Sequence, residues 1–224
     1  MPTRTKFVFL MHPYEHKRVK ANTGRLTHLC LRESELHLGI GFDEHKGVQV
    51  LINDPKNYPV LLYPSREAVD LSTVQKQDPQ LSTVRAQLET RRLVVFLLDA
   101  TWRKVRPMLR LSPSLQRLPR IMFSHAAPSR YRIKRQPEPG CLSTLEATHE
   151  LLVALDRSGL DAYTQPAQLL DVFQRMQDFQ ISCATANAPR GDRRHVRRLP
   201  SDRPATPTPV LAQRHRIFPV AVAS

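Results

Sequence analysis

The hydrophobic pattern of this chain is a series of short apolar runs that stop abruptly at polar residues. The clearest is Leu93 to Leu98, six consecutive apolar residues followed by Asp99. A run of that length without alternation predicts a strand buried on both faces, suited to the middle of a largely parallel sheet. Asp99 or Thr101 can cap the helix predicted from Trp102 to Leu111, before Pro113. Asp99 therefore reads in two ways. It is a cap, or it is an acid at the strand end where open α/β sheets bind ligands.

Similar runs recur along the chain. Lys6 to Met11 predicts a first buried strand, followed by a polar basic loop from His12 to Lys20. Asn22 and Thr23 are candidate caps for a short helix carrying Leu26, Leu29 and Cys30 on one face. Leu36 to Phe42 alternates as a strand, and Asp54 to Asn57 reads as a turn. Val60 to Tyr63 is a further strand, ending at Pro64 and Ser65, with Ser65 read as the cap of a helical turn from Arg66 to Leu71. Polar residues from Ser72 to Gln80 lead into a short helix ending near Leu88, and Arg120 to Phe123 completes the strands.

Ser143-Thr144-Leu145-Glu146 has the form of a capping box, opening a helix that runs to about Arg157 and stops at Gly159. An amphipathic helix from about Pro166 to Phe179 turns Leu169, Leu170, Phe173 and Met176 inward. Strands alternating with helices predict an α/β fold, a mainly parallel sheet flanked by helices. From Ala184 onward, eight arginines, two aspartates and six prolines show little apolar periodicity. The expected organisation is a folded domain over residues 1–183 and a disordered basic tail over 184–224.

Composition sharpens the expectation about partners. The 224 residues carry a net charge of +14, of which the tail supplies +6. A field of that sign concentrates polyanions, so nucleic acid is the expected partner, with an anionic membrane second. No apolar run has the length of a membrane span, and the N-terminus lacks a signal peptide's apolar core. Three widely spaced cysteines (Cys30, Cys141 and Cys183) make neither a disulfide framework nor a metal knuckle, which fits a reducing cytoplasm. His12 and His16 share the i, i+4 spacing of metal ligands, but Pro13 and the basic surroundings argue against a site, and no metal is expected. The segment from His125 to Gly140 places Tyr131 among Arg130, Arg132, Lys134 and Arg135, which suits RNA phosphates and base stacking as well as a solvated loop.

Four ordered segments together resemble the DTW-domain family: Met11-His12-Pro13 through Leu31, Tyr63-Pro64-Ser65, Asp99-Ala100-Thr101-Trp102, and Pro137 through Ala147. The likeness runs from about Lys6 to Gln180. It implies a tRNA-uridine aminocarboxypropyltransferase, which moves the 3-amino-3-carboxypropyl group of S-adenosylmethionine to N3 of a tRNA uridine and releases methylthioadenosine. It also implies a SPOUT-like fold with a knotted cofactor site. Members of that family often begin with a cysteine-rich, zinc-like segment that this sequence does not contain. The reading is a subfamily lacking that module or a truncated start.

The resemblance assigns roles residue by residue. Asp99 is the expected catalytic carboxylate, removing the N3 proton or orienting the base. The expected S-adenosylmethionine wall comprises Tyr63, Pro64, Ser65, Leu98, Thr101, Leu118 and Pro119. Trp102 stacks on adenine or uracil, or packs in the core. The amides at Ser143 and Thr144 would hold the carboxylate of the transferred arm, and Glu146 caps its helix or meets the arm's ammonium. Lys17, Arg18, Lys20, Arg25, Arg103, Lys104, Arg132, Lys134 and Arg135 are expected on tRNA phosphates. Two rival readings stay open, a SPOUT-type RNA methyltransferase and a non-catalytic RNA-binding domain, as does the choice between monomer and homodimer.

Overall fold

A computed structural model describes residues 1–18, 22–76, 78–123, 128–133 and 141–186. Six strands form one sheet: β1 (Lys6–Met11), β2 (Ser34–Leu38), β3 (Asn57–Leu62), β4 (Val69–Asp70), β5 (Arg92–Asp99) and β6 (Arg120–Met122). Their order is β2-β1-β5-β3-β6-β4, and every neighbouring pair is parallel. The apolar run from Leu93 thus lies inside the sheet, between β1 and β3. Parallel pairing puts all strand carboxyl ends on one edge, because each strand must be re-entered by a crossover from the other end.

The helices are α1 (Pro13–Arg18), α2 (Thr23–Cys30), α3 (Lys46–Asn53), α4 (Ser82–Leu88), α5 (Trp102–Arg110), α6 (Pro113–Gln116), α7 (Thr144–Arg157) and α8 (Ala167–Ala186). They divide between the two faces of the sheet. Phe7, Phe9, Val95 and Leu97 point to one face and pack with Leu145, Leu151 and Leu155 of α7 and with Leu169 and Phe173 of α8. The alternate residues Val8, Leu10, Val94, Phe96 and Leu98 face the other side, against Val48 of α3, Val105 and Met108 of α5, and Leu115 of α6. This is the period-two alternation of a strand covered on both sides. Continued by one residue, it turns Asp99 toward the α7 face.

Local signals fared well where a helix terminates itself. Ser143 and Glu146 form the capping box, each accepting from the other's backbone amide, and Gly159 ends α7 with a φ of 73°. Three expectations need correction. The helical turn expected from Arg66 to Leu71 contains the short strand β4, recruited by pairing with Ile121 and Met122. The basic loop after β1 contains α1, with Pro13 at its first position, where a missing amide costs nothing. The strand expected at Leu36–Phe42 sits earlier, at Ser34–Leu38, and α3 follows it with His45 as an unusual N-cap. Helix α8 runs to Ala186, and of the tail expected over 184–224 everything from residue 187 lies outside the described residues. None of the described helices is long and apolar enough to cross a membrane.

Candidate functional site at the carboxyl edge

Asp99 closes β5 at the edge where all strands end, and it is 0 % exposed. The Thr144 hydroxyl, at the first position of α7, donates to its Oδ1 at 2.6 Å. On the other side lies Gly24 in the first turn of α2. A β-carbon there would stand 2.1 Å from Asp99 Oδ2 and 2.6 Å from Cγ, so only glycine lets the helix approach this closely. The Asp99 carbonyl accepts from the His12 amide at 3.1 Å, tying in the segment after β1. Two helix starts therefore converge on one carboxylate, an arrangement in which both helix dipoles favour the negative charge.

The α7 start holds a second carboxylate. Glu146 accepts from the Ser143 amide at 2.9 Å and the Ser143 hydroxyl at 2.7 Å. It also accepts from the Arg130 amide at 2.6 Å and from the Ser129 hydroxyl, so it fastens residues 129–130 to the helix. Of the two roles expected for Glu146, the structure displays the cap. The Ser143 amide, expected to hold a substrate carboxylate, is occupied by Glu146.

Two of the buried side-chain donors that lack a partner lie at the α2 start. The Asn22 side chain accepts from the Arg25 amide at 2.9 Å, but its Nδ2 is buried without a hydrogen-bond partner. Thr23 Oγ1 is buried and unpartnered as well, and so is Ser65 Oγ in the segment following β3. Buried polar groups are nearly always satisfied, so several orphans at one sheet edge point to a polar ligand there. The sequence offers Asn22 and Thr23 as caps and includes them in the first of the family-like segments. The missed signal is Gly24, because a glycine within a helix needs a packing reason.

Other expected site residues are distributed as follows. Tyr63 and Pro64 are half-buried at the end of β3. Burial pushes the Tyr63 hydroxyl up, with the nearby Arg106 and Arg120 working against that shift. Leu98 fills the core on the α5 side. Thr101 takes the N-cap position of α5 by its backbone (φ −64°, ψ 153°), yet its hydroxyl makes no capping bond. The side chain of Trp102 lies outside the described residues. Leu118 and Pro119 precede β6: the Pro119 carbonyl accepts from the Leu61 amide, one residue before the end of β3, and Leu118 is in the core.

The expected phosphate contacts also divide. Lys17, Arg25 and Arg103 are exposed. Lys104 is paired with buried Glu15 at 3.0 Å and sits 3.4 Å over the Tyr14 ring, so it braces α1 against α5. Arg132 is paired with Asp178. The side chain of Arg18, and all of Lys20, Lys134 and Arg135, lie outside the described residues. His12, beside this bracing pair, has its pKa lowered by burial and by Lys104, against a smaller opposing effect of Glu15. Its Nδ1 accepts from the Tyr14 amide at 3.1 Å, which leaves the ring proton on Nε2.

A cleft of about 500 Å³ opens at the opposite, amino edge, between Arg4, Arg85, Arg91 and Arg92. Arg4 pairs there with Asp161, and Arg92 with Glu33. It lies at the far end of β5 from Asp99, so strand-end chemistry places the candidate site at the carboxyl edge instead. Among the described residues, no group of three or more His, Cys, Asp and Glu side chains is placed to hold a metal ion.

The chain is 31% identical over 157 residues to a Drosophila melanogaster protein named tRNA-uridine aminocarboxypropyltransferase 2, covering 68% of this chain and 57% of that protein. It is 28% identical over 182 residues to the Mus musculus protein of the same name, and 24% over 181 residues to that of Macaca fascicularis. Each of these two alignments covers 79% of this chain and 57% of the relative, so the chain spans little more than half the length of the curated relatives it matches. No solved structure matches it. A DTW-domain model matches residues 1–181, taking in all six strands and both helix starts that meet at Asp99, and the chain belongs to the DTW-domain family.

Proposed function

We propose that this chain is a tRNA-uridine aminocarboxypropyltransferase, moving the 3-amino-3-carboxypropyl group of S-adenosylmethionine to N3 of a tRNA uridine. The observation that carries the proposal is the enclosed Asp99 carboxylate flanked by two helix starts, with buried donors at Asn22, Thr23 and Ser65 along the same edge. The names of the relatives and the basic character of the chain supply the substrate class. The SPOUT-like reading, with a knotted cofactor site, belongs to this proposal and rests on the family likeness. A cytoplasmic setting belongs to the same proposal.

The residues present fit the donor molecule. Thr23 Oγ1 and Asn22 Nδ2, at the positive end of α2, suit the carboxylate of its amino-acid arm, and Ser65 with Tyr63 and Pro64 suits the nucleoside side. When bound, S-adenosylmethionine supplies a γ-carbon activated by its sulfonium, which departs as the neutral thioether methylthioadenosine. Asp99 orients the uridine imide or takes its N3 proton, and Thr144 holds that carboxylate in one orientation. Because Asp99 is covered in this structure, contact with the base requires it to be uncovered, and Gly24 and Thr144 lie against it. Glu15, Lys104 and Tyr14 hold α1, which follows β1 at this edge, against α5.

Incubation of the protein with unmodified tRNA and S-adenosylmethionine, followed by nucleoside mass spectrometry, tests the reading. The expected products are aminocarboxypropyluridine and methylthioadenosine. S-Adenosylhomocysteine with a methylated nucleoside would make the chain a methyltransferase. Binding of tRNA without either product would make it an RNA-binding domain.

A further inference from the structure

Helix α5 leaves the Asp99 edge with the sequence Trp-Arg-Lys-Val-Arg-Pro-Met-Leu-Arg and contains no acidic residue. Val105 and Met108 anchor one face in the core. Arg103, Arg106 and Arg110 are all exposed on the other, within about 60° of arc at 100° per residue. Arg120 of β6 continues the stripe: its guanidinium lies 5.6 Å over the Tyr63 ring, near which Arg106 also stands. None of these four arginines is ion-paired with a described residue, whereas Lys104 of the same helix and Arg132 are.

Like charges three and four residues apart weaken a helix. Solvated helix faces normally mix both signs. Four arginines without a compensating carboxylate among the described residues therefore make a surface completed by an anion. We propose that the stripe Arg103, Arg106, Arg110 and Arg120 is the track on which the sugar-phosphate backbone of the tRNA lies as it leads into the Asp99 site. The inference rests on the tRNA reading above and adds Arg106, Arg110 and Arg120 to the residues expected on RNA. A membrane surface fits less well, since an interfacial helix inserts its apolar face and that of α5 is already committed to the core.

The test compares two variants of equal charge loss. Arg106→Gln/Arg110→Gln removes two charges from the stripe, and Lys56→Gln/Arg91→Gln removes two exposed charges near the opposite edge. Binding of tRNA is measured by fluorescence anisotropy across a salt series, with circular dichroism confirming the fold. The stripe variant should bind roughly 10-fold more weakly, with the slope of log K against log salt reduced by about 1.4 to 1.8, at about 0.7–0.9 per lost phosphate contact. The control variant should stay within about 2-fold of wild type.

Equal weakening in both variants would mean unspecific net-charge attraction and overturn the proposal. An unchanged stripe variant would overturn it too. Phosphatidylserine vesicles that lose binding in the stripe variant while tRNA binding persists would reassign the face to a membrane. The nucleoside assay on the same samples keeps the two readings apart. Stripe-dependent tRNA binding without transfer refutes the transferase, and transfer without stripe dependence refutes the track.

Discussion

Gly24→Ala is the sharpest probe of how the site is built, because two physical effects act on it with opposite sign. Helix propensity alone makes alanine at most about 1 kcal/mol better than glycine. Against this, the added β-carbon would stand 2.1 Å from Asp99 Oδ2 and 2.6 Å from its Cγ, far inside contact distance. Asp99 is fully buried and held by Thr144, so neither partner has a cheap route away. Overpacking a filled site costs about 1–3 kcal/mol. Displacing the carboxylate from Thr144 sacrifices a hydrogen bond to a charged group, about 1.5–3 kcal/mol more. The net expectation is a loss of about 3 kcal/mol, or a Tm lower by roughly 6–12 °C for a domain of this size. Urea denaturation followed by circular dichroism measures it directly. A variant as stable as wild type, or more stable, would show that propensity wins and that α2 does not rest on the Asp99 carboxylate.

Three further outcomes follow from the same contacts. Thr144→Val keeps the shape and removes the donor to Asp99, and should cost about 1.5–3 kcal/mol in denaturant titration, while Thr144→Ser recovers most of it; a valine variant within about 0.5 kcal/mol of wild type contradicts the assignment. Lys104→Met leaves Glu15, 2% exposed, without its cation. The loss should be near 2 kcal/mol rather than the 3–5 of a fully buried pair, because Lys104 keeps 26% exposure, and adding Glu15→Gln should restore stability. His12, His28 and His149 are all held below the ordinary histidine value of 6.5, chiefly by burial. The unfolded chain therefore binds more protons as pH falls through that value, and denaturation midpoints should drop between pH 7.5 and 5.5, less steeply in His149→Gln. A flat profile across that window would rule out lowered pKa values for these half-buried imidazoles.

Much of the architecture was legible wherever a segment carries its own instructions. The unbroken apolar run ending at Asp99 marks a doubly covered strand, and the Ser143–Glu146 box and Gly159 mark both ends of α7. These signals are local, since caps and periodicities depend on hydrogen bonds and side chains only a few residues apart. Elements whose reasons are distant were misread. Two residues at Val69 become a strand only because β6 offers its edge, and a basic loop at Pro13 becomes a helix braced through Glu15 to Lys104, 89 residues away.

The sequence by itself determined the class of fold, the carboxylate at the end of the central strand, and the excess of positive charge. Only the tertiary structure decided what surrounds that carboxylate. Gly24 and Thr144 lie 75 and 45 residues from Asp99, and they meet it because parallel pairing gathers every strand end on one edge while period-two alternation turns Asp99 toward the α2 and α7 face. Charge has the same history: sequence counts arginines and lysines alike, but folding pairs Lys104 and Arg132 with carboxylates and leaves the α5 stripe open. Composition fixes how much charge a chain carries, and packing fixes which of it is already spent.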